Sequence, residues 1–127
     1  MNKVYQRFQV TGDKLVINER TRSDFKRVAG VIFSLAKSLT LQEFAQIYAS
    51  DLTCSLRIGG KEVLPVGTHV SLMLQSPLVS RKDTIFEIKE SDGILAQNSM
   101  VELEVKDPNG ALTSDCKLYL YLLLDND

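Results

Sequence analysis

The chain of 127 residues contains no tryptophan and a single histidine, His69. A metal site would therefore need carboxylates or cysteines, and the alternation of apolar residues predicts that both cysteines, Cys54 and Cys116, point into the core. A catalytic pair would require the buried thiol of Cys54 to reach His69, which the same alternation places on the solvent side of a strand. We expect no metal, no cofactor and no catalytic Cys–His pair.

Motifs of the common enzyme classes are also missing. There is no G-x-S-x-G nucleophile elbow, and Gly59-Gly60 lacks the Lys-Ser/Thr and the helix that follow a phosphate-binding loop. Glu102 and Glu104 share one strand face, a spacing found in some carbohydrate hydrolases, but outward glutamates more often form a solvated edge. The sequence therefore predicts a protein that is not an enzyme.

Long hydrophobic runs are absent. The first ten residues, MNKVYQRFQV, contain no apolar stretch typical of a signal peptide, and the longest apolar run, Leu118–Leu124, is far shorter than a membrane span. We therefore expect synthesis in the cytoplasm and no membrane span. Two cysteines without a signal peptide fit a reducing compartment, although a disulfide between Cys54 and Cys116 remains open.

Neither sign of charge dominates, since the formal net charge is -1, and this gives no overall attraction to nucleic acid or acidic membranes. The distribution is uneven. Residues 1–40 carry eight basic and three acidic side chains, whereas residues 83–127 carry three basic and ten acidic ones. In one interpretation the two ends lie side by side and neutralise each other within one fold. In the other, a basic face of one copy meets an acidic face of the next, as in head-to-tail rings.

Four basic residues cluster around Phe25, namely Arg20, Arg22, Lys26 and Arg27. A basic patch beside an aromatic ring is one feature of nucleic-acid binding. Such binding would also need stacking aromatics on neighbouring strands, and the sequence offers too few. We expect no direct contact with nucleic acid and assign the four residues to a possible subunit interface.

Most of the chain shows apolar and polar residues in alternation, the period-2 pattern of β-strands, and turn signals separate the alternating segments. The predicted strands are residues 4–10, 14–18, 25–37, 52–58, 61–64, 70–74, 84–90, 99–106 and 115–124. Gly59-Gly60 supplies a tight hairpin, Pro65 and Gly67 are expected to end the strand after it, and Gly30 favours a bulge.

One segment has helical spacing instead. Residues 40–50 begin with Thr40 as a potential cap and repeat apolar side chains every three or four positions. The whole chain, residues 1–127, is thus predicted to be one all-β domain, an antiparallel β-sandwich with one short helix near residues 40–50. Many short strands of this kind are typical of a single jelly roll.

The last predicted strand is apolar on both faces, because Tyr119, Tyr121 and Leu123 lie opposite its inward leucines. Such a strand is either central under a covering element or part of an interface. Tyr119 and Tyr121 therefore join the possible subunit interface.

Two stretches of the chain carry a family resemblance. Residues 25–34, FKRVAGVIFS, follow a V-x-G-[IV]-x-[FV]-S pattern, and residues 55–67, SLRIGGKEVLPVG, follow an S-L-x-I-[DG]-G-K-E-[IV]-[FL]-P-x-G pattern. Both resemble the opening strands of jelly-roll capsid proteins of tailless, membrane-containing bacteriophages. The length is similar to that of their penton, or vertex, subunits. The short helix between the two stretches and the hairpin at residues 4–18 depart from the family's pattern.

The resemblance implies a structural virion protein, a penton-like subunit that forms a homo-oligomer, five copies closing a ring, and contacts other capsid proteins. It would reside in the virion after synthesis in the host cytoplasm. An alternative is a monomeric β-sandwich binding module for carbohydrate or protein, which would show aromatics on one sheet face, with Tyr5, Tyr119 and Tyr121 as candidates. A jelly-roll lyase or isomerase would need a metal or acid–base set that the sequence lacks.

Overall fold

Eight β-strands and one α-helix form the regular elements of the computed structural model, which describes residues 3–35, 41–48, 50–75, 84–89, 92–112 and 117–126. The strands are β1 (Lys3–Val10), β2 (Val16–Arg20), β3 (Arg27–Leu35), β4 (Thr53–Ile58), β5 (Lys61–His69), β6 (Phe86–Glu87), β7 (Met100–Lys106) and β8 (Leu118–Asp125). The helix α1 spans Leu41–Tyr48, and a 3₁₀ turn spans Val70–Met73. Two antiparallel four-stranded sheets result, and the predicted β-sandwich is confirmed.

The strand pairing is nested about one hairpin. β4 pairs with β5, β3 with β6, β2 with β7 and β1 with β8, all antiparallel. The order is β1-β8-β3-β6 in one sheet, here called sheet 1, and β2-β7-β4-β5 in the other, sheet 2. A long antiparallel ribbon rolled onto itself gives this order, which is that of an eight-stranded jelly roll. Gly59 and Gly60, at φ 58 and 80, form the tip of that ribbon, a conformation that glycine adopts without strain.

The core lies between the two sheets and follows the predicted alternation. β8 contributes four inward leucines that are fully buried, while Val101, Leu103 and Val105 of β7 face them from sheet 2. Glu102 and Glu104, between those core residues, are exposed. The bulge predicted at Gly30 is confirmed, because the register between β3 and β8 shifts between Val28 and Gly30.

Two predictions around β5 are wrong. Pro65 and Gly67 do not end the strand, which continues to His69. Because β5 is an edge strand, the missing amide of Pro65 costs no ladder hydrogen bond, and Gly67 at φ 90 absorbs an irregularity in the pairing with β4. Within the strand predicted over residues 70–74, Val70–Met73 form the 3₁₀ turn, so Met73 is buried while Leu72 is 70% exposed.

The strand predicted over residues 84–90 is reduced to β6, which has only two residues. Alternation over residues 84–90 would place Phe86 and Ile88 on the same face of a strand. In the structure Phe86 is 43% exposed and Ile88 is buried, so they lie on different sides. Other boundaries move by one to three residues; β2, for example, begins at Val16 and not at Lys14. Thr40 and Cys116 lie outside the described residues, and so does any disulfide that would involve Cys116.

Gln6 links the edge of β1 to the connection between β2 and β3. Its side-chain amide donates to the carbonyl oxygen of Arg20 at 3.1 Å and accepts from the backbone N–H of Arg22 at 2.9 Å. The Gln6 amide thus hydrogen-bonds like a peptide group of a neighbouring strand. It satisfies backbone groups at the end of the edge strand β2 that would otherwise be free.

Candidate functional site

The outer face of sheet 1 concentrates the aromatic side chains that the sequence singled out. β8 lies between β1 and β3, so its outward tyrosines are flanked by two strands. The rings of Tyr119 and Tyr121 have centroids 6.1 Å apart with an interplanar angle of 81°, and those of Tyr5 and Tyr121 are 6.2 Å apart at 90°. Such edge-to-face pairs are favourable for aromatic quadrupoles. All three rings are half-buried.

Cross-strand register arranges this face in four rows that run from β1 through β8 to β3. The rows are Lys3–Asp125–Arg27, Tyr5–Leu123–Gly30, Arg7–Tyr121–Ile32 and Gln9–Tyr119–Ser34. Successive rows are about 7 Å apart, since a strand rises about 3.3 Å per residue.

Arg7 belongs to this face, and sequence reasoning did not select it. Its guanidinium carbon lies 4.4 Å from the ring centroid of Tyr119, in cation–π geometry. Alternation in β1 already placed Arg7 beside Tyr5, but only the register with β8 brings it over Tyr119. The pairing of β1 with β8, which brings Arg7 over Tyr119, joins distant parts of the chain and cannot be inferred from a single sequence.

The last strand, apolar on both faces, was expected to be either central under a covering element or part of an interface. β8 is central in sheet 1, and its neighbour Ile32, on the same outer face, is fully buried. The face is thus covered at Ile32, while Tyr119 and Tyr121 stay half-exposed. Part of the outer side of sheet 1 is covered and part reaches the surface.

A groove of about 340 Å³ opens at one end of this face. Its lining residues come from β1, β8, β3 and the segment around β6, and they include Lys3, Tyr5, Arg27, Ile85, Glu87 and Leu123. Gly30 lies beneath it, and a Cβ atom built there would be only 2.6 Å from Cδ1 of Ile85. The glycine therefore lets Ile85 approach the sheet and form one wall.

Three of the four predicted basic interface residues, Arg20, Arg22 and Arg27, have side-chain partners within the chain. Arg27 donates through Nη2 to Oδ2 of Asp125 at 3.2 Å and through Nη1 to the carbonyl oxygen of Ile88 at 3.3 Å. The carboxylate of Asp125 is only 2% exposed. Arg27 is thus a structural residue that joins the start of β3 to the end of β8.

Arg22 and Arg20 have local partners as well. Arg22 forms a bidentate pair with Asp24 at 3.0 and 2.7 Å, and its guanidinium lies 5.1 Å from the ring of Phe25. This hydrogen bonding holds the pKa of the Asp24 carboxyl below its ordinary value. Arg20 donates to the carbonyl oxygen of Asn98 at 2.9 Å. Arg22 remains exposed, and so does Arg20.

The structure does not bring the basic residues and the tyrosines into one patch. Arg20, Arg22 and Lys26 lie at or next to the connection between β2 and β3, and Arg27 lies in the first row of sheet 1. Tyr119 is three rows away, about 20 Å along the strand. The six residues assigned to one interface therefore mark two separate regions, a basic end and an aromatic face.

Cys54 and His69 lie on the neighbouring strands β4 and β5 and differ in burial, as the alternation predicted. Cys54 is buried, and burial raises the pKa of its thiol to about 12, whereas the side chain of His69 is exposed. A thiol with so high a pKa is not a thiolate nucleophile at neutral pH. Within the described part of the chain, no three His, Cys, Asp or Glu side chains are grouped to hold a metal ion.

No protein-family model, curated protein or solved structure matches this chain. None of the helices in the described ranges has the length and apolar character needed to cross a bilayer.

Proposed function

We propose that the protein is a structural virion protein, a penton-like jelly-roll capsid subunit that self-assembles, contacts neighbouring capsid proteins and has no enzymatic role. The observation that carries the proposal is the nested strand order, β1-β8-β3-β6 over β2-β7-β4-β5. Viral capsid domains are among the proteins built on the jelly roll. The burial of Cys54, which raises the pKa of its thiol, also favours a scaffold over a thiol enzyme.

The two regions of the site support a subunit that makes contacts. Arginine and tyrosine are the residue types enriched at the energetic centres of protein interfaces. Arg20, Arg22 and Lys26 are exposed at one end of the sandwich, and Tyr119 and Tyr121 reach the surface of sheet 1. Their separation gives a ring-forming subunit two distinct surfaces, as a heterologous contact requires.

Light scattering across a range of protein concentrations, with negative-stain microscopy of the largest species, tests self-assembly. We expect a closed oligomer, five-fold if the subunit is penton-like. Charge reversal of Arg20, Arg22 and Lys26 to Glu should abolish it while circular dichroism stays unchanged. Lys106→Glu, at the opposite end of sheet 2 from Arg20, is the matched control. Arg27 is left out because its reversal would place a second anion beside buried Asp125. A monomer at every concentration would contradict the proposal.

A second candidate function, a β-sandwich binding module for carbohydrate or protein, is favoured by one specific observation. Tyr5, Tyr119 and Tyr121 lie together on one sheet face. Tyrosine pairs an apolar ring with a hydrogen-bonding hydroxyl, which suits a ligand with both kinds of surface. Binding by a protein that stays monomeric would favour this function over the capsid subunit.

A further inference from the structure

The tyrosines on the outer face of sheet 1 lie between cations. Lys3 begins β1 and lines the groove beside Tyr5, and Arg7 covers the ring of Tyr119. Lys117 precedes β8 and has the parity of Tyr119 in its alternation. We call the set the tyrosine stripe, which comprises Lys3, Tyr5, Arg7, Lys117, Tyr119 and Tyr121.

Carboxylates do little to neutralise this stripe. On the outward rows of β1, β8 and β3, the one carboxylate in the described ranges is Asp125, which is buried against Arg27. Glu87 of β6 lines the far wall of the groove. Lys3, Arg7 and Lys117 therefore give the stripe a positive potential, and its charge complement is an anion.

Neutral hydrogen-bonding groups accompany the rings. Tyr119 has exposed Gln9 on one side and half-buried Ser34 on the other. The amide and hydroxyl groups can hydrogen-bond to the hydroxyl groups of a sugar, and the neighbouring aromatic ring can pack against its C–H face. Consecutive stacked bases would need similarly oriented ring faces, whereas neighbouring rings here are at 81° and 90°. The stripe thus fits a glycan better than a single-stranded nucleic acid.

The area of the outer face of sheet 1 favours a glycan over a second copy of the chain as the molecule that binds there. Three strands about 4.8 Å apart and four rows about 7 Å apart cover on the order of 300 Å². A standard protein interface buries about 800 Å² on each partner. The like charges of Arg7 and Lys3 would also oppose a symmetric contact of the face with itself. An oligosaccharide needs no larger area.

We propose that the tyrosine stripe binds an acidic glycan, one that carries uronate, sialate or sulfate groups. Its sugar rings would pack on Tyr119 and Tyr121, and its anionic groups would pair with Arg7 and the flanking lysines. This inference rests on the second candidate function, a carbohydrate-binding face, and specifies the class of ligand.

An array of immobilised glycans with uronate, sialate and sulfate members and their neutral counterparts tests the proposal, with a thymidine oligonucleotide as a polyanion without sugar-specific contacts. We expect binding to acidic members that weakens with salt. Arg7→Gln should lower the affinity about fivefold or more. Tyr119→Ala should lower it similarly while Tyr119→Phe retains it, and Lys106→Gln on sheet 2 is the matched charge control.

Each other outcome overturns the proposal in a recognisable way. Binding confined to neutral glycans would leave the carbohydrate-binding function standing and refute the acidic class. Equal binding of the oligonucleotide and the acidic glycans, with no effect of Tyr119→Ala, would show attraction by charge alone. No glycan binding by a folded protein, checked by circular dichroism, would refute both the inference and the carbohydrate-binding function.

Discussion

Replacing Gly30 by alanine tests the contact that holds the shortest strand on the jelly roll. β6 has two residues, and its register with β3 pairs Gly30 with Glu87. A Cβ atom at position 30 would lie 2.6 Å from Cδ1 and 3.0 Å from Cγ1 of Ile85. Ile85 must then shift away from the sheet, and its neighbours in β6 shift with it.

Two opposing effects set the size of the expected loss. Overpacking of this kind costs about 1–3 kcal/mol. Glycine within a strand is itself less favourable than alanine by roughly 0.5–1 kcal/mol, so the substitution recovers that amount. The expected net loss in the free energy of unfolding is therefore about 1 kcal/mol, or a few degrees in the melting temperature.

Urea denaturation followed by circular dichroism measures the effect in a double-mutant cycle. Ile85→Val deletes Cδ1, the atom in closest contact with the new methyl group. Adding Gly30→Ala to Ile85→Val should then cost far less than adding it to the unaltered chain, with a coupling of about 1 kcal/mol. A neutral or stabilising Gly30→Ala, or two fully additive substitutions, would refute the packing of Ile85 on β3.

Four further substitutions probe the fold. Arg27→Met should lower the free energy of unfolding by about 2–3 kcal/mol, because it removes the guanidinium from buried Asp125, whereas Arg22→Met on an exposed pair should have no measurable effect in thermal melts. Gln6→Ala removes two hydrogen bonds and should cost about 1–2 kcal/mol in urea titrations. Because the thiol pKa of Cys54 is raised from its ordinary 9.0 to about 12, the unfolded chain loses this proton first as pH rises. Stability should fall by about 1.4 kcal/mol per unit between pH 9 and 12, and Cys54→Ala should remove that slope; an unchanged slope would place the titration elsewhere.

Local alternation predicted the parts of the fold that are buried on one face. β7 is the clearest case, since Val101, Leu103 and Val105 face the core while the glutamates between them face solvent. The hairpin at Gly59-Gly60 followed from turn chemistry alone, because two adjacent residues at positive φ require glycine. Both features depend on residues close together in the chain.

Elements whose form depends on distant partners were predicted incorrectly. Val70–Met73 alternates like a strand, but its inner residues follow the spacing of a 3₁₀ turn, with Val70 and Met73 three positions apart and buried. Pro65 has the local signature of a strand end, yet an edge position tolerates it. The edge position of β5 and the short length of β6 depend on the strands beside them and cannot be inferred from the residues of either strand alone.

The candidate site divides in the same way. Parity alone placed Tyr119 and Tyr121 on one face of the last strand, and Tyr5 and Arg7 on one face of the first. Their meeting depends on the pairing of β1 with β8, which joins residues more than a hundred positions apart. The basic residues around Phe25 are neighbours in the sequence, but the pairing of Arg27 with Asp125, 98 positions away, was not visible there.

The nested pairing also bears on the uneven charge of the chain. β8 carries the C-terminal end of the chain, and both of its neighbours, β1 and β3, come from the basic N-terminal part. The first row of sheet 1 shows the result, with Asp125 of β8 paired with Arg27 of β3 at 3.2 Å. Part of the charge asymmetry is thus neutralised inside one subunit, because a jelly roll always pairs its first strand with its last. The exposed side chains of Arg20 and Arg22 contact Asn98 and Asp24 and not β8, so they and the tyrosine stripe are the surfaces we propose for contacts between copies.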